Sequence, residues 1–193
     1  MEKEFNYKDS LQVIEGMIAQ AKYRPGKTDG IITLMWGYLV MTAALLHWFL
    51  QVVMKVDYAP AAWFLMLVGA VATGVFKRKA EREKRVKTYV DTLIAQVWLA
   101  FVISFGVLFF AMQPTHVNFL PTVMLLYGGG MWVHGSLIKF KPYRAGAVAC
   151  WLGSALAFFL VPEHQLLVLA GAVVFGYIVP GHLLYAKTSQ SDV

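Results

Sequence analysis

The chain has 193 residues, 59% of them hydrophobic and 15% charged, with a formal net charge of +6. Soluble domains carry about a quarter charged residues, so this composition argues against an ordinary soluble domain and for a surface that faces lipid. The positive balance does not point to nucleic acid, because the basic residues sit between apolar runs, and their densest cluster, Lys77 to Lys87, has no aromatic interleaved for base stacking.

Residues 1–30 form a polar leader that lacks the basic start and apolar stretch of a cleaved signal peptide. Within it, Asp9 to Ala21 predicts a short amphipathic helix capped by Asp9 or Ser10. Leu11, Ile14, Met17, Ile18 and Ala21 follow the i, i+3, i+4, i+7 spacing and make one apolar stripe. Such a helix lies on the membrane surface or docks a cytoplasmic partner. Pro25-Gly26 then turns the chain, and Asp29-Gly30 leads into the first apolar run.

A helix needs about 20 apolar residues to cross a bilayer. Six runs approach that length: Ile31 to Met54, Pro60 to Phe76, Tyr89 to Met112, Phe119 to Ile138, Ala145 to Val161, and Leu166 to Ala186. The expected fold is therefore all-α: a polytopic membrane protein of six transmembrane helices over residues 31–186, with a cytoplasmic tail at 187–193. The second and fifth runs are short and must stand upright or thin the bilayer. The lone Cys150 lies inside the fifth run, cannot close an intrachain disulfide, and reads as a small apolar packing residue.

Lys and Arg beside the spans mark the cytoplasmic side. Lys3, Lys8, Lys22, Arg24 and Lys27 precede the first span, and Lys77, Arg78, Lys79, Arg82, Lys84, Arg85 and Lys87 crowd the link between spans two and three. Lys139, Lys141 and Arg144 follow span four, and Lys187 follows span six. Of the 17 basic residues only Lys55 falls on the other side, which predicts both termini in the cytoplasm. Trp48, Tyr58 and Trp63 near outer ends, and Tyr89, Tyr143 and Tyr185 near inner ends, fit interfacial aromatic belts. The basic link, with Lys77, Arg78, Arg82 and Arg85, suits anionic head groups or an acidic partner.

A weak internal repeat runs through the even spans: Gly69 to Gly74, Gly130 to Gly135, and Gly176 to Gly181, each followed by a lysine within six residues. The odd spans each carry a tryptophan: Trp36, Trp98 and Trp151. The pattern predicts three pseudo-symmetric helical hairpins inserted with the same polarity. The glycines, Gly69, Gly74, Gly128, Gly129, Gly130, Gly135, Gly171 and Gly176 among them, predict close helix packing rather than a pore. Pro180 predicts a kink in span six that frees a backbone carbonyl one turn back.

Polar side chains deep in spans are candidate functional groups. Gln96, Tyr127, His134, Tyr177 and His182 make up a candidate intramembrane site, with His134 and His182 facing each other if spans four and six are neighbours. That pair could serve as haem ligands or a proton relay. His47, His116 and His164 recur once per hairpin on the outer side and are the candidate transition-metal ligands. Asp91, one turn into span three, reads as structural. No phosphate-binding glycine loop, nucleophile elbow, HExxH or CxxC motif occurs, so catalysis is not expected and no cofactor is predicted.

The leader DSLQVIEGMIAQAK, the first-span run Trp36-Gly37-Tyr38-Leu39 and the pair His47-Trp48 resemble those of small six-span bacterial inner-membrane proteins of uncharacterised function. That resemblance implies a bacterial cytoplasmic-membrane location and carries over no catalytic residue. Three hairpins are also similar to the mitochondrial carriers, but the proline-acid-basic signature of that family is absent from the odd spans. The expected function is a membrane-embedded sensor or scaffold that engages a cytoplasmic protein or lipid, with homo-oligomers as further candidate partners. The alternatives are a small-solute transporter or channel, and a histidine-ligated haem or metal protein.

Overall fold

The structure, a computed structural model, describes residues 25–83, 88–115 and 118–190. The leader residues Leu11, Ile14 and Ile18, together with Arg85 and His116, lie outside the described residues. Every regular element among the described residues is helical.

Helix α1 (Lys27–Trp48) starts where the Gly26 N–H donates to Asp29 Oδ2 at 2.8 Å, an acidic first turn that suits the helix dipole. It runs on through a π-helical turn, Phe49–Val53. Lys55, with φ 54°, then reverses the chain. A 3-10 stretch, Ala59–Phe64, leads into α2 (Leu65–Glu83), so the helix of the predicted second span extends well beyond Phe76. Helix α3 (Tyr89–Thr115) begins with a reciprocal box. Thr88 N and Oγ1 donate to Asp91 Oδ2 at 2.9 and 2.8 Å, and Asp91 N donates back to Thr88 Oγ1 at 3.3 Å.

Helix α4 (Phe119–Leu137) is closed by Lys139 in the left-handed region, with φ 54°. There Phe140 N–H donates to Gly135 O at 2.8 Å and Lys139 N–H to Ser136 O at 3.2 Å, the paired bonds of a Schellman ending. Helix α5 (Lys141–Ala157) starts four residues earlier than its predicted span and ends four earlier. Helix α6 (Pro162–Val173) opens on a proline, whose missing N–H costs nothing in a first turn. It passes through a π-helical turn, Val174–Ile178, into α7 (Val179–Gln190). This π turn lies immediately upstream of Pro180.

Among the described residues, four helical columns are long and apolar enough to cross a membrane: Lys27–Val53, Ala59–Ala80, Tyr89–Ala111 and Pro162–Gln190. The other two segments are less apolar or shorter. Helix α4 spans 19 residues and includes Pro121, His134 and the run Gly128 to Gly130, while α5 has 17 residues. Both are buried along much of their length against each other and against the α6–α7 column.

Apart from α2 and α3, helical columns that follow one another in the chain pack antiparallel. Trp36 and Leu39 of α1 meet Gly69 of α2, and His47 meets Trp63. Trp98 and Phe101 of α3 meet His134 and Tyr127 of α4. Tyr143 of α5 meets Gly135 of α4, and Ser154 Oγ donates to Pro121 O at 2.7 Å. Gly146 and Gly153 of α5 meet Gly176 and Ala172 of the α6–α7 column. That column returns along α1, with Gly37 against Ile178 and Gly30 against Tyr185. The alternation gathers Lys27, Lys77, Arg78, Lys79, Arg82, Lys139, Lys141, Arg144 and Lys187 at one end of the bundle, with Lys55 at the other.

The extensive contacts run as a row, α2–α1–(α6–α7)–α5–α4–α3, and do not include α2 against α3. The α6–α7 column is the most buried, and none of the apolar window of α3 is buried inside the chain. The buried core centres on Val40, Met124, Met131, Tyr143, Ala147, Leu169, Val173, Tyr177 and Leu184.

Candidate functional site

The polar core forms where α3, α4, α5 and the π turn converge near the basic end. Helix spacing puts i and i+7 on one face, and α4 uses that spacing to carry Tyr127 and His134 inward. Helix α5 does the same with Tyr143 and Cys150. Helix α3 contributes Trp98, and the π turn contributes Tyr177. A π turn shifts the register of the side chains that follow, and such turns recur at functional positions.

His134 is buried, and its Nδ1 accepts the Trp98 Nε1–H at 3.3 Å. An accepting Nδ1 places the hydrogen of the neutral ring on Nε2. The His134 ring lies edge-on to Tyr143, with centroids 5.1 Å apart. The Tyr143 and Thr33 hydroxyl oxygens are 2.6 Å apart, and Thr33 Oγ1 also donates to Asp29 O at 2.9 Å. Thr33 has one hydroxyl proton, so Tyr143 is the donor in that pair. Tyr177 meets Tyr127 and Trp98 with centroids 5.3 and 6.4 Å apart, and the Phe101 ring lies tilted against Tyr127 at 4.9 Å. The Tyr177 hydroxyl is the one buried side-chain N or O among the described residues without a hydrogen-bond partner.

Of the five expected intramembrane residues, Tyr127, His134 and Tyr177 come together here. Gln96 and His182 do not. Gln96 is exposed on α3. His182 is exposed on α7, where its Nε2 pairs with the Tyr38 hydroxyl of α1 at 3.0 Å. His134 and His182 therefore do not face each other. His134 turns into the α3–α5 side of the core, and His182 lies on the α1 side of the column.

At the end of the bundle away from the basic cluster, His47 Nδ1 accepts the Trp63 Nε1–H at 2.9 Å, and His164 is exposed in the first turn of α6. No group of three or more His, Cys, Asp or Glu able to hold a metal is found among the described residues. Lys77, Arg78 and Arg82 are exposed on the last turns of α2.

Trp98, Thr33, Tyr143 and Cys150 belong to the polar core but were not expected there. A sequence signal for Trp98 lies in the spacing it shares with Trp36. Trp36 packs on Gly69 and donates to Thr73 Oγ1 at 2.9 Å, four residues later. Trp98 packs on Gly130 and donates to His134, also four residues later. The tryptophan of α5 departs from this: Trp151 packs on Gly128 and donates to Leu125 O at 3.2 Å. Cys150 Sγ, beside Gly176, points at Ala172 O from 3.9 Å.

The arrangement is a packed aromatic cluster with single hydrogen bonds between rings, a means of fixing helices in register. Comparison with protein families, with curated proteins and with solved structures finds no match to this chain.

Proposed function

We propose that the chain crosses a bacterial inner membrane six times as three hairpins, with both termini cytoplasmic. We further propose that it acts without catalysis as a sensor or scaffold engaging a cytoplasmic protein or anionic lipid. The observation that carries this reading is the polarity of the bundle: nine described basic residues at one end and Lys55 alone at the other. Positive charge marks the cytoplasmic face and attracts anionic head groups. Two further observations support it. The shorter α4 and α5 pack closely on one another, which lessens the length of lipid-facing apolar surface each must supply. The rings of Tyr127, His134 and Tyr177, which an aqueous route would need to expose, lie against neighbouring rings.

Native mass spectrometry of the chain released gently from its own membrane should retain a cytoplasmic protein or an anionic lipid. Deleting residues 1–29 should remove the protein adduct. Changing Lys77, Arg78 and Arg82 to glutamine should remove the lipid. Helical content by circular dichroism should survive in both variants. Full retention of the adducts by both would sink the reading.

One observation favours a second reading, passage of a small neutral solute: the unpartnered Tyr177 hydroxyl, which a transient water or solute hydroxyl would satisfy. Cysteines placed singly at Gln96, Tyr127, His134 and Tyr177 would then react with a polar, membrane-impermeant thiol reagent. Protection of the three core positions rejects the route.

A further inference from the structure

We propose that the chain pairs with a second copy of itself through the outward face of α3, with Gln96 of one copy hydrogen-bonded to Gln96 of the other. The inference rests on α3 lying in a bilayer, as its apolar window over Tyr89–Ala111 supports.

Exposed apolar residues need no explanation in lipid, but an exposed amide does. Gln96 follows Tyr89 by seven residues, about 10 Å along the helix axis. The hydrocarbon core is about 30 Å thick, so this short side chain cannot reach the head groups as Lys or Arg would. It is exposed and has no hydrogen-bond partner within the described bundle. An unpaired amide in hydrocarbon is costly, and interhelical hydrogen bonds are the usual remedy.

The surrounding face specifies what supplies the partner. Gln96, Ala100, Ile103, Val107 and Phe110 are all exposed and are spaced by four, three, four and three residues. This is a heptad seam, the pattern that lets two helices wrap together. It lies away from Trp98, Phe101 and Phe105, the side of α3 that meets the rest of the chain. One polar residue in an otherwise apolar seam sets register and oligomeric state.

Two copies inserted with the same polarity and related by a two-fold axis along the membrane normal put Gln96 opposite Gln96 at one depth. A carboxamide both donates and accepts, so it complements itself. Ala100, one turn further on, lets the helices approach closely beside the amides.

The test uses the full chain reconstituted into phospholipid vesicles at high dilution. The buried Cys150 serves as a silent background for single cysteines. Ile103→Cys and Val107→Cys should form disulfide-linked dimers on mild oxidation. Leu125→Cys, exposed on α4, should cross-link no more than the wild type. Adding Gln96→Leu to Ile103→Cys should lower the dimer yield about tenfold, the size of one interhelical amide bond, and Gln96→Asn should largely preserve it.

The proposal is overturned by undiminished cross-linking with Gln96→Leu, by equal cross-linking from Leu125→Cys, or by monomers throughout. An Ile103→Cys adduct of another mass in native membranes, with no dimer in vesicles, overturns it in favour of a different membrane protein. Alkaline extraction separates the two layers of the argument. A chain that resists extraction but stays monomeric defeats the pairing alone. A chain washed out of the membrane defeats the spanning reading, and the pairing with it.

Discussion

Replacing Gly146 with leucine should cost the bundle about 3 kcal/mol or more, the upper range for forcing volume into a packed interior. Gly146 of α5 sits against the π turn of the α6–α7 column. A Cβ there would lie 2.6 Å from Gly176 O and 3.0 Å from Gly176 Cα. These are backbone atoms, so no rotamer change makes room and the two helices must move apart. Pro180 sharpens the contact, since it has no N–H to offer Gly176 O four residues before it.

Alanine should already be harmful at position 146. At Gly129 and Gly106, where an added Cβ meets nothing within 4 Å, it should be neutral or stabilising. The gain there is the helix-propensity difference, up to about 1 kcal/mol. Unfolding in mixed micelles with increasing SDS would rank the variants. If Gly146→Ala proves no worse than Gly129→Ala, α5 does not pack on the π turn in this way.

Tyr143→Ala should be the second large loss, about 3–5 kcal/mol by the scale of aromatic deletions from cores. Tyr143 is fully buried and joins three helices. Its ring meets His134 of α4 and Phe140 of the turn, while its hydroxyl reaches Thr33 of α1. Tyr143→Phe should cost only about 1 kcal/mol, because Thr33 keeps its bond to Asp29 O. Thr33→Val should cost more than Tyr143→Phe, since it strands the buried Tyr143 donor. The double variant should be milder than the two single losses combined, as expected for partners in one bond. The same SDS titration reads all four variants, and additive losses would mean that the two hydroxyls are not paired.

Much of the local structure was legible along the chain. The boundaries of α3 and α4 fell close to expectation. Apolar run length sets where a helix can persist, and Thr88 and Asp91 supply the start of α3. Helices α2 and α5 do not end where their apolar runs end, because hydropathy marks where lipid could lie, not where backbone bonds stop. Arg78 and Arg82 favour helix as much as leucine does, so α2 continues through them to Glu83.

The candidate site was legible in part. Tyr127, His134 and Tyr177 stood out as polar groups in apolar runs; Tyr127 and Tyr177 meet, and Trp98 links them to His134. Tyr143 was read as an interfacial ring, because its position near the basic turn looks the same whether the ring faces lipid or core. Trp98 was noticed as a repeated residue and not as the donor to His134.

By itself the sequence determined the helical class, the apolar lengths, the alternation of basic and neutral links, and the small residues that permit close approach. Each of these depends on residues adjacent in the chain or on composition, which a linear reading captures. Only the tertiary structure decided which faces turn inward. In these helices apolar residues cover nearly the whole circumference, so no amphipathic stripe marks the buried side. It separated His134 from His182, seated Gly146 on Gly176, and left Gln96 facing outward. Those outcomes depend on how surfaces from distant segments fit, and that fit is a property of pairs of helices rather than of any one of them.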